Sequence, residues 1–378
     1  MKILYVDQTG KLGGGELALL PWLEHAPKDA AVVLFDDGPF RQLIASIGIP
    51  VQVLSLASLK GVRRESGFGK LLSTLPALWN LRTRLARIAM GYDLLYANSQ
   101  KAFLVSALAR RKGQPLVWHL RDILTAEHFS PMMRRVAVTA GNRWATVIVV
   151  NSQATADALI ASGGRAARIR VVHDGVSPAP FDRVDPATVA RLRAEIGAQG
   201  KPLIGLFGRL SPWKGQHVLL EALSQIPNVH GVLVGDALFG EEDWVASLRA
   251  RASQPDLAGR IHFLGFRRDI PELMQAMDIV VHASTSAEPF GLVIVEGMLA
   301  GRPVIATRAG GACEIVQEGV SGLLTMPGSV PELRAAIERL LADPGRAQAL
   351  AAGGRSRAVE AFSVEALVSR IEQVLAEL

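Results

Sequence analysis

Two glutamates, Glu288 and Glu296, stand eight positions apart around Pro289-Phe290-Gly291-Leu292. Paired carboxylates can exchange protons or hold hydroxyl groups. Glu288 closes a polar loop after the apolar run Ile279–His282. Leu292, Val295 and Leu299 then recur at helical spacing, so Glu296 lies about one turn inside a helix. Phe290, Gly291 and Leu292 place free backbone N–H groups, and the positive end of that helix's dipole, where an anion can sit. Spacing along the chain does not give the distance between two carboxyl groups. Acid–base work and recognition therefore both stay open for this pair.

A cationic loop precedes it. Gly208-Arg209-Leu210-Ser211-Pro212-Trp213-Lys214-Gly215 follows the apolar run Leu203–Phe207 and leads into a helical stretch from Gln216 through Leu223. Arginine offers a planar fork to phosphate oxygens and lysine a point charge, so a diphosphate grip is the preferred reading over two surface charges. Gly13-Gly14-Gly15-Glu16 opens a helix after the first apolar run. It lets backbone approach a phosphate or sugar, or simply makes a tight turn; the dinucleotide fingerprint is absent because its third glycine is missing. His119 ends the run Leu116–His119, a place where ligands bind, although a lone histidine is more often structural. Asn151-Ser152 follows Thr146–Val150 and can cap the next helix or meet a sugar. Gly265, in His262–Phe266, offers strand-end backbone to a planar base. Gly310-Gly311 forms another turn into a helix, and Cys313 beside it reads as a small buried filler rather than a reactive thiol.

The elements that must position these residues are short β-rich runs separated by helical segments. The runs are Ile3–Val6, Val32–Phe35, Val51–Leu54, Leu94–Ala97, Leu116–His119, Thr146–Val150 and Ile169–Val172. A second series follows at Leu203–Phe207, Gly231–Val234, Ile261–Leu264, Ile279–His282, Val304–Thr307 and Leu323–Leu324. Such alternation predicts two doubly wound α/β domains with parallel sheets and a cleft between them, residues 1–185 and 186–360. The tail, 361–378, reads as an amphipathic helix with Phe362, Leu367, Ile371 and Leu375 on one stripe.

Composition bounds the possibilities further. The chain has 378 residues, 49% of them apolar, and a formal charge of +6. Through Pro180 there are 22 Lys and Arg against 12 Asp and Glu; from Phe181 onward there are 19 against 23. The basic half does not imply nucleic acid, because aromatics are few and no nucleic-acid motif is present. Part of the excess lies in Lys60–Arg87, where Lys60, Arg63, Arg64, Lys70, Arg82, Arg84 and Arg87 border an apolar face of leucines and Trp79. That stretch suits either an anionic membrane surface or packing on its own sheet. One cysteine excludes a disulfide framework, and no apolar run reaches the roughly 18 to 20 residues of a membrane span. The expectation is a cytoplasmic protein, peripheral at the inner face of the membrane if the basic stretch docks there.

Gly208-Arg209 with Lys214-Gly215, Glu288-Pro289-Phe290-Gly291 with Glu296, Gly301-Arg302-Pro303-Val304-Ile305-Ala306, and Gly310-Gly311 with Glu314 together resemble glycosyltransferase family 4. The resemblance runs over nearly the whole chain and is strongest from Leu203 to Leu324. It implies a GT-B fold with two Rossmann-like domains and a terminal helix crossing back to the first. It also implies a retaining enzyme that moves a sugar from a nucleotide diphosphate sugar to a hydroxyl of a glycan or glycolipid in polysaccharide or cell-envelope biosynthesis. On this resemblance Arg209 and Lys214 hold the diphosphate, Glu296 the ribose, and Glu288 the sugar. Phe290, Gly291, Leu292, Gly208 and Gly265 complete the donor site. His119 reaches the sugar from the first domain, and Gly14, Gly15 and Asn151 line the junction with the acceptor. No protein nucleophile is implied, and no metal, since arginine and lysine can carry the charge that Mg²⁺ carries elsewhere. Two departures stand out: His173-Asp174-Gly175 has Asp where the family commonly has Asn, and Cys313 replaces a frequent Pro. The rival reading is a GT-B epimerase or hydrolase without a separate acceptor; a non-enzymatic nucleotide-sugar sensor ranks below both.

Overall fold

The computed structural model describes residues 1–55, 75–125, 129–198, 200–238 and 240–378. Lys60, Arg63, Arg64 and Lys70 of the basic stretch lie outside the described residues. The chain forms two compact units, Met1–Gly175 with Leu367–Leu378, and Val176–Ala366. The division falls after 175 rather than 185. Residues just beyond it pack into the second unit, where Phe181 is buried in the core and its carbonyl accepts from Gln275 Nε2 at 2.7 Å.

Among the described residues the first unit holds one seven-stranded sheet: β1 (Ile3–Asp7), β2 (Ala31–Leu34), β3 (Val51–Val53), β4 (Leu94–Ala97), β5 (Leu116–Leu120), β6 (Val147–Val150) and β7 (Ile169–Val171). Their order is β3-β2-β1-β4-β5-β6-β7, and every pairing is parallel. The second unit has β8 (Leu203–Phe207), β9 (His230–Val234), β10 (Ile261–Gly265), β11 (Ile279–His282), β12 (Val304–Thr307) and β13 (Leu323–Thr325) in the order β10-β9-β8-β11-β12-β13, again all parallel. The inner strands are mostly apolar because helices cover both faces of a parallel sheet; β1, β4, β5, β6 and β8 are buried along their whole length, while the edge strands β3, β7 and β10 are partly exposed.

Strand order fixes where function can sit. In the first sheet the order reverses between β1 and β4, in the second between β8 and β11. A crevice opens outside the carboxyl ends of the strands at such a switch point, because the crossovers to either side diverge. The last helix, Val364–Ala376, buries Leu367, Ile371 and Val374 in the core around Ile3, Tyr5 and Trp22 of the first unit. Phe362, expected on the same stripe, belongs instead to the second core, edge-on to Phe290 at 5.7 Å. Among the described residues no helix is long and apolar enough to cross a membrane.

Candidate functional site

The second unit's switch point gathers the cationic loop and the first glutamate. The loop after β8 carries Arg209 and, in a short 3₁₀ turn Pro212–Lys214, Lys214; the loop after β11 carries Ser284 and Glu288. Lys214 Nζ lies 2.5 Å from Glu288 Oε1, Ser284 Oγ donates to the same oxygen at 2.5 Å, and His282 Nε2 is 3.0 Å from it. The imidazole is off the line for a good hydrogen bond, but close enough for electrostatic attraction. Glu288 is buried, and burial alone would raise its pKa. Lys214 and His282 outweigh that and hold the carboxyl well below its usual range. A carboxylate engaged this way stays ionised at neutral pH and is a poor nucleophile.

Glycines make this approach possible. Gly215 has φ 73°, and a Cβ there would fall 1.8 Å from the Ala283 carbonyl oxygen. The loop after β8 therefore presses against the end of β11 as only glycine allows, and Thr285 N–H donates to Trp213 O at 2.7 Å across the seam. Arg209 and Lys214 both lie over the Trp213 ring, at 5.9 and 4.4 Å from its centroid, and Arg209 Nε is 3.6 Å from Glu241 Oε2. Gly208, just after β8, and Gly265, the last residue of β10, flank the end of the strand between them, β9: Gly208 N–H donates to Val234 O, and Gly265 O accepts from Gly235.

Gly291, at φ 119°, caps the helix Leu292–Leu299. Phe290 is buried, Leu292 opens the helix, and Glu296 sits one turn in, half-buried, its carboxyl lifted by burial to about 7. The loop before this helix is fixed by Gly310-Gly311: Gly311 N–H donates to Glu288 O at 2.9 Å, and a Cβ on Gly311 would crowd the Phe290 backbone. Cys313 is exposed, which corrects its reading as a buried filler: the four-residue helix Ala312–Ile315 buries Ala312 and Ile315 and turns Cys313 outward.

The first unit's switch point holds a second polar cluster, described here by itself. Gly14 opens the helix Gly14–Leu23, and the buried Glu16 reaches back so that Gly13 N–H donates to its Oε2 at 3.0 Å. Asn98 donates to Asp7 at 2.6 Å and to Gly15 O at 3.3 Å. Arg121 donates to Asn98 Oδ1 at 2.8 Å and is paired with Asp174, whose other oxygen accepts from Asn151 at 3.1 Å. Asn151 is thus part of this cluster, while Ser152 caps the following helix. His119 is fully buried, 2.7 Å from the Tyr96 hydroxyl through Nδ1. Burial, and then the charge of Arg121, hold it well below the ordinary histidine pKa. Burial also raises Asp7, and burial followed by the nearby Asp7 raises Glu16 to about 7.

Asp7, Glu16, Asn98 and Arg121 were not singled out as ligands from sequence, nor were His282 and Ser284 in the second unit. The available signal was position: all but Glu16 end an apolar strand or follow one within two residues. Asp174, a departure from the family pattern, now has a reason, because a buried guanidinium needs a charged partner that asparagine would not supply.

Two doubly wound parallel sheets, each with its polar side chains gathered at a switch point, define a GT-B protein. Residues 18–175 match the model of a glycosyl transferase 4-like domain, and residues 189–357 that of glycosyl transferases group 1. HepE of Anabaena, solved with UDP and glucose, is 43% identical with a TM-score of 0.90, each chain covered in full. In its complex with UDP-glucose the values are 42% and 0.90. The 2-deoxystreptamine glucosyltransferase of Streptomyces kanamyceticus is 35% identical over 60% of this chain and 60% of its own length. The D-inositol 3-phosphate glycosyltransferase of Mycobacterium marinum is 32% identical over 71% of this chain and 59% of its own. The chain thus spans about three-fifths of the length of these two curated relatives. It belongs to glycosyltransferase family 4.

Proposed function

We propose that the chain is a retaining glycosyltransferase that takes a hexosyl group from a nucleotide diphosphate sugar, UDP-glucose in the first instance, and passes it to a hydroxyl of a glycan or lipid-linked acceptor. The observation that carries this reading is the meeting of Lys214 with Glu288 across the β8/β11 switch point. The 43% identical relative solved with UDP and glucose supports the donor. An ammonium has three N–H donors, so Lys214 can keep Glu288 and still donate to a phosphate oxygen. With Arg209 and the start of the helix Leu292–Leu299 it would stabilise the negative charge that grows on the diphosphate as the glycosidic bond breaks. Glu288 would accept from sugar hydroxyls and Glu296 from the ribose, while His119, Gly14, Gly15 and Asn151 serve the sugar and the acceptor. The leaving phosphate takes the acceptor's proton on the face it departs from, which retains the anomeric configuration without a protein nucleophile. Because cations of the chain meet the diphosphate, turnover should survive a chelator.

The acceptor's chemistry connects to the basic stretch. On the helix Leu75–Ala89, Trp79 is 66% exposed with Arg82 4.6 Å over its ring, and Arg84 and Arg87 follow. An aromatic–cationic face of this kind suits an anionic lipid surface, where a lipid-linked acceptor would be met. Incubating UDP-glucose with and without glycan and lipid acceptors tests the function. Acceptor-dependent UDP release with an α-linked product is expected; equal release without acceptor, or conversion of the donor sugar to its epimer, would replace transfer by the hydrolase or epimerase reading.

A further inference from the structure

Arg121 follows β5 with its side chain only 8% exposed. Its guanidinium is engaged on three sides: Nε by Asn98, Nη1 by Asp174, and Nη2 at 3.3 Å from His119 Nδ1. A guanidinium stays protonated and has no lone pair to offer, so at that contact Nδ1 can only accept. The Tyr96 hydroxyl, at 2.7 Å from the same nitrogen, could donate or accept if it acted alone. Arg121 removes the choice. An imidazole that accepts at Nδ1 carries its proton on Nε2. Nε2 is buried and has no hydrogen-bond partner among the described residues, and a buried N–H left without an acceptor is unfavourable until something supplies one.

We propose that Arg121 is a positioning residue: by donating to Nδ1 it holds His119 as the neutral Nε2–H tautomer, so that His119 offers a hydrogen bond to the bound sugar and carries no proton to or from it. This rests on the transferase reading above for what the N–H meets. The groups that face the ring are Tyr96 from β4 and Arg121 after β5; Asp174 beyond β7 and, through Asn98, Asp7 of β1 act on it by way of Arg121. The cation is the nearest charge. Burial and the guanidinium both disfavour a second proton on the ring.

The test is a long-range nitrogen–proton spectrum of ligand-free protein labelled with ¹⁵N-histidine, with His119 assigned by His119→Gln. The expected signal is the Nε2–H pattern, unchanged between pH 5.5 and 8, and the same pattern in Tyr96→Phe. In Arg121→Met the ring should populate Nδ1–H, or titrate at a higher pH than in the wild type while burial still holds it below the ordinary histidine value, and the pH profile of kcat should change with it. Arg121→Lys, which restores a charged donor, should restore the wild-type profile. An Nδ1–H pattern or a titrating ring in the wild type would overturn the proposal, as would loss of the pattern in Tyr96→Phe with its survival in Arg121→Met. If Arg121→Met does not fold, the wild-type and Tyr96→Phe spectra still decide. Since they need no donor, they judge Arg121 separately from transfer; an Nε2–H ring in a protein without transferase activity overturns the functional reading alone.

Discussion

At the scale of single residues, Lys214 and Glu288 behave as one unit, because Lys214 is the leading charge that, with His282 beside it, offsets the buried Glu288 carboxylate. Removing one member of a buried pair leaves an uncompensated charge, which typically costs about 3–5 kcal/mol, whereas removing both costs less. Lys214→Ala should therefore lower the urea midpoint markedly, and Lys214→Ala with Glu288→Gln should recover much of it while restoring no turnover. Recovery of turnover in the double variant would remove both residues from the reaction. Glu296 makes a second prediction. Its carboxyl is lifted by burial to about 7, so it binds a proton in the folded protein at pH values where an unfolded glutamate is ionised. Only the carboxylate can accept from both ribose hydroxyls, so UDP affinity should rise as pH goes from 6 to 8, up to tenfold per unit below the midpoint. Glu16 also titrates at about 7, hence the control: Glu296→Gln should flatten the dependence and Glu16→Gln should keep it. A flat wild-type profile would count against Glu296 as the ribose ligand. The two glutamates and two cations were legible as types and positions, but that Lys214 answers Glu288 was not, since 74 residues separate them.

At the scale of elements, the loops after β1 and β8 use glycine for different reasons. Gly215 is locked by space: with φ 73° and the Ala283 carbonyl against it, Gly215→Ala must cost more than the roughly 1–2 kcal/mol of a left-handed alanine. It should lower the urea midpoint and the activity together. Gly14 has open space above it and helical backbone, so Gly14→Ala should hold or raise stability by up to about 1 kcal/mol. If that open space receives the acceptor, transfer should nevertheless fall. An unimpaired Gly14→Ala enzyme would free this loop from the acceptor site. Sequence marks both loops by their glycines after a strand, but only strand order shows that each flanks a switch point. Order is a tertiary property, and the apolar runs that reveal the strands so clearly carry no record of which neighbour each will choose.

At the scale of the molecule, each unit has its own core and its own cluster of polar residues at the strand ends. The strand runs and the two-sheet division were readable because parallel strands covered on both faces are mostly apolar. What escaped was assembly: the chain passes to the second unit at 175/176, Phe362 serves the second core while Leu367 serves the first, and residues 7, 98, 121 and 174 meet only when the sheet forms. The basic first half gives a further expectation. If the Trp79–Arg87 face meets lipid, sedimentation with anionic vesicles should weaken as salt rises, and equal binding to neutral vesicles would exclude the charge-based account. The central claim, that the second unit grips a nucleoside diphosphate through side chains rather than merely resembling proteins that do, is tested most directly by calorimetric titration of UDP into the wild type and Arg209→Ala. A hydrogen bond to a charged group is worth about 1.5–3 kcal/mol, so the variant should bind roughly ten to a hundred times more weakly; equal affinity in the two, or no UDP binding by the wild type, would contradict it.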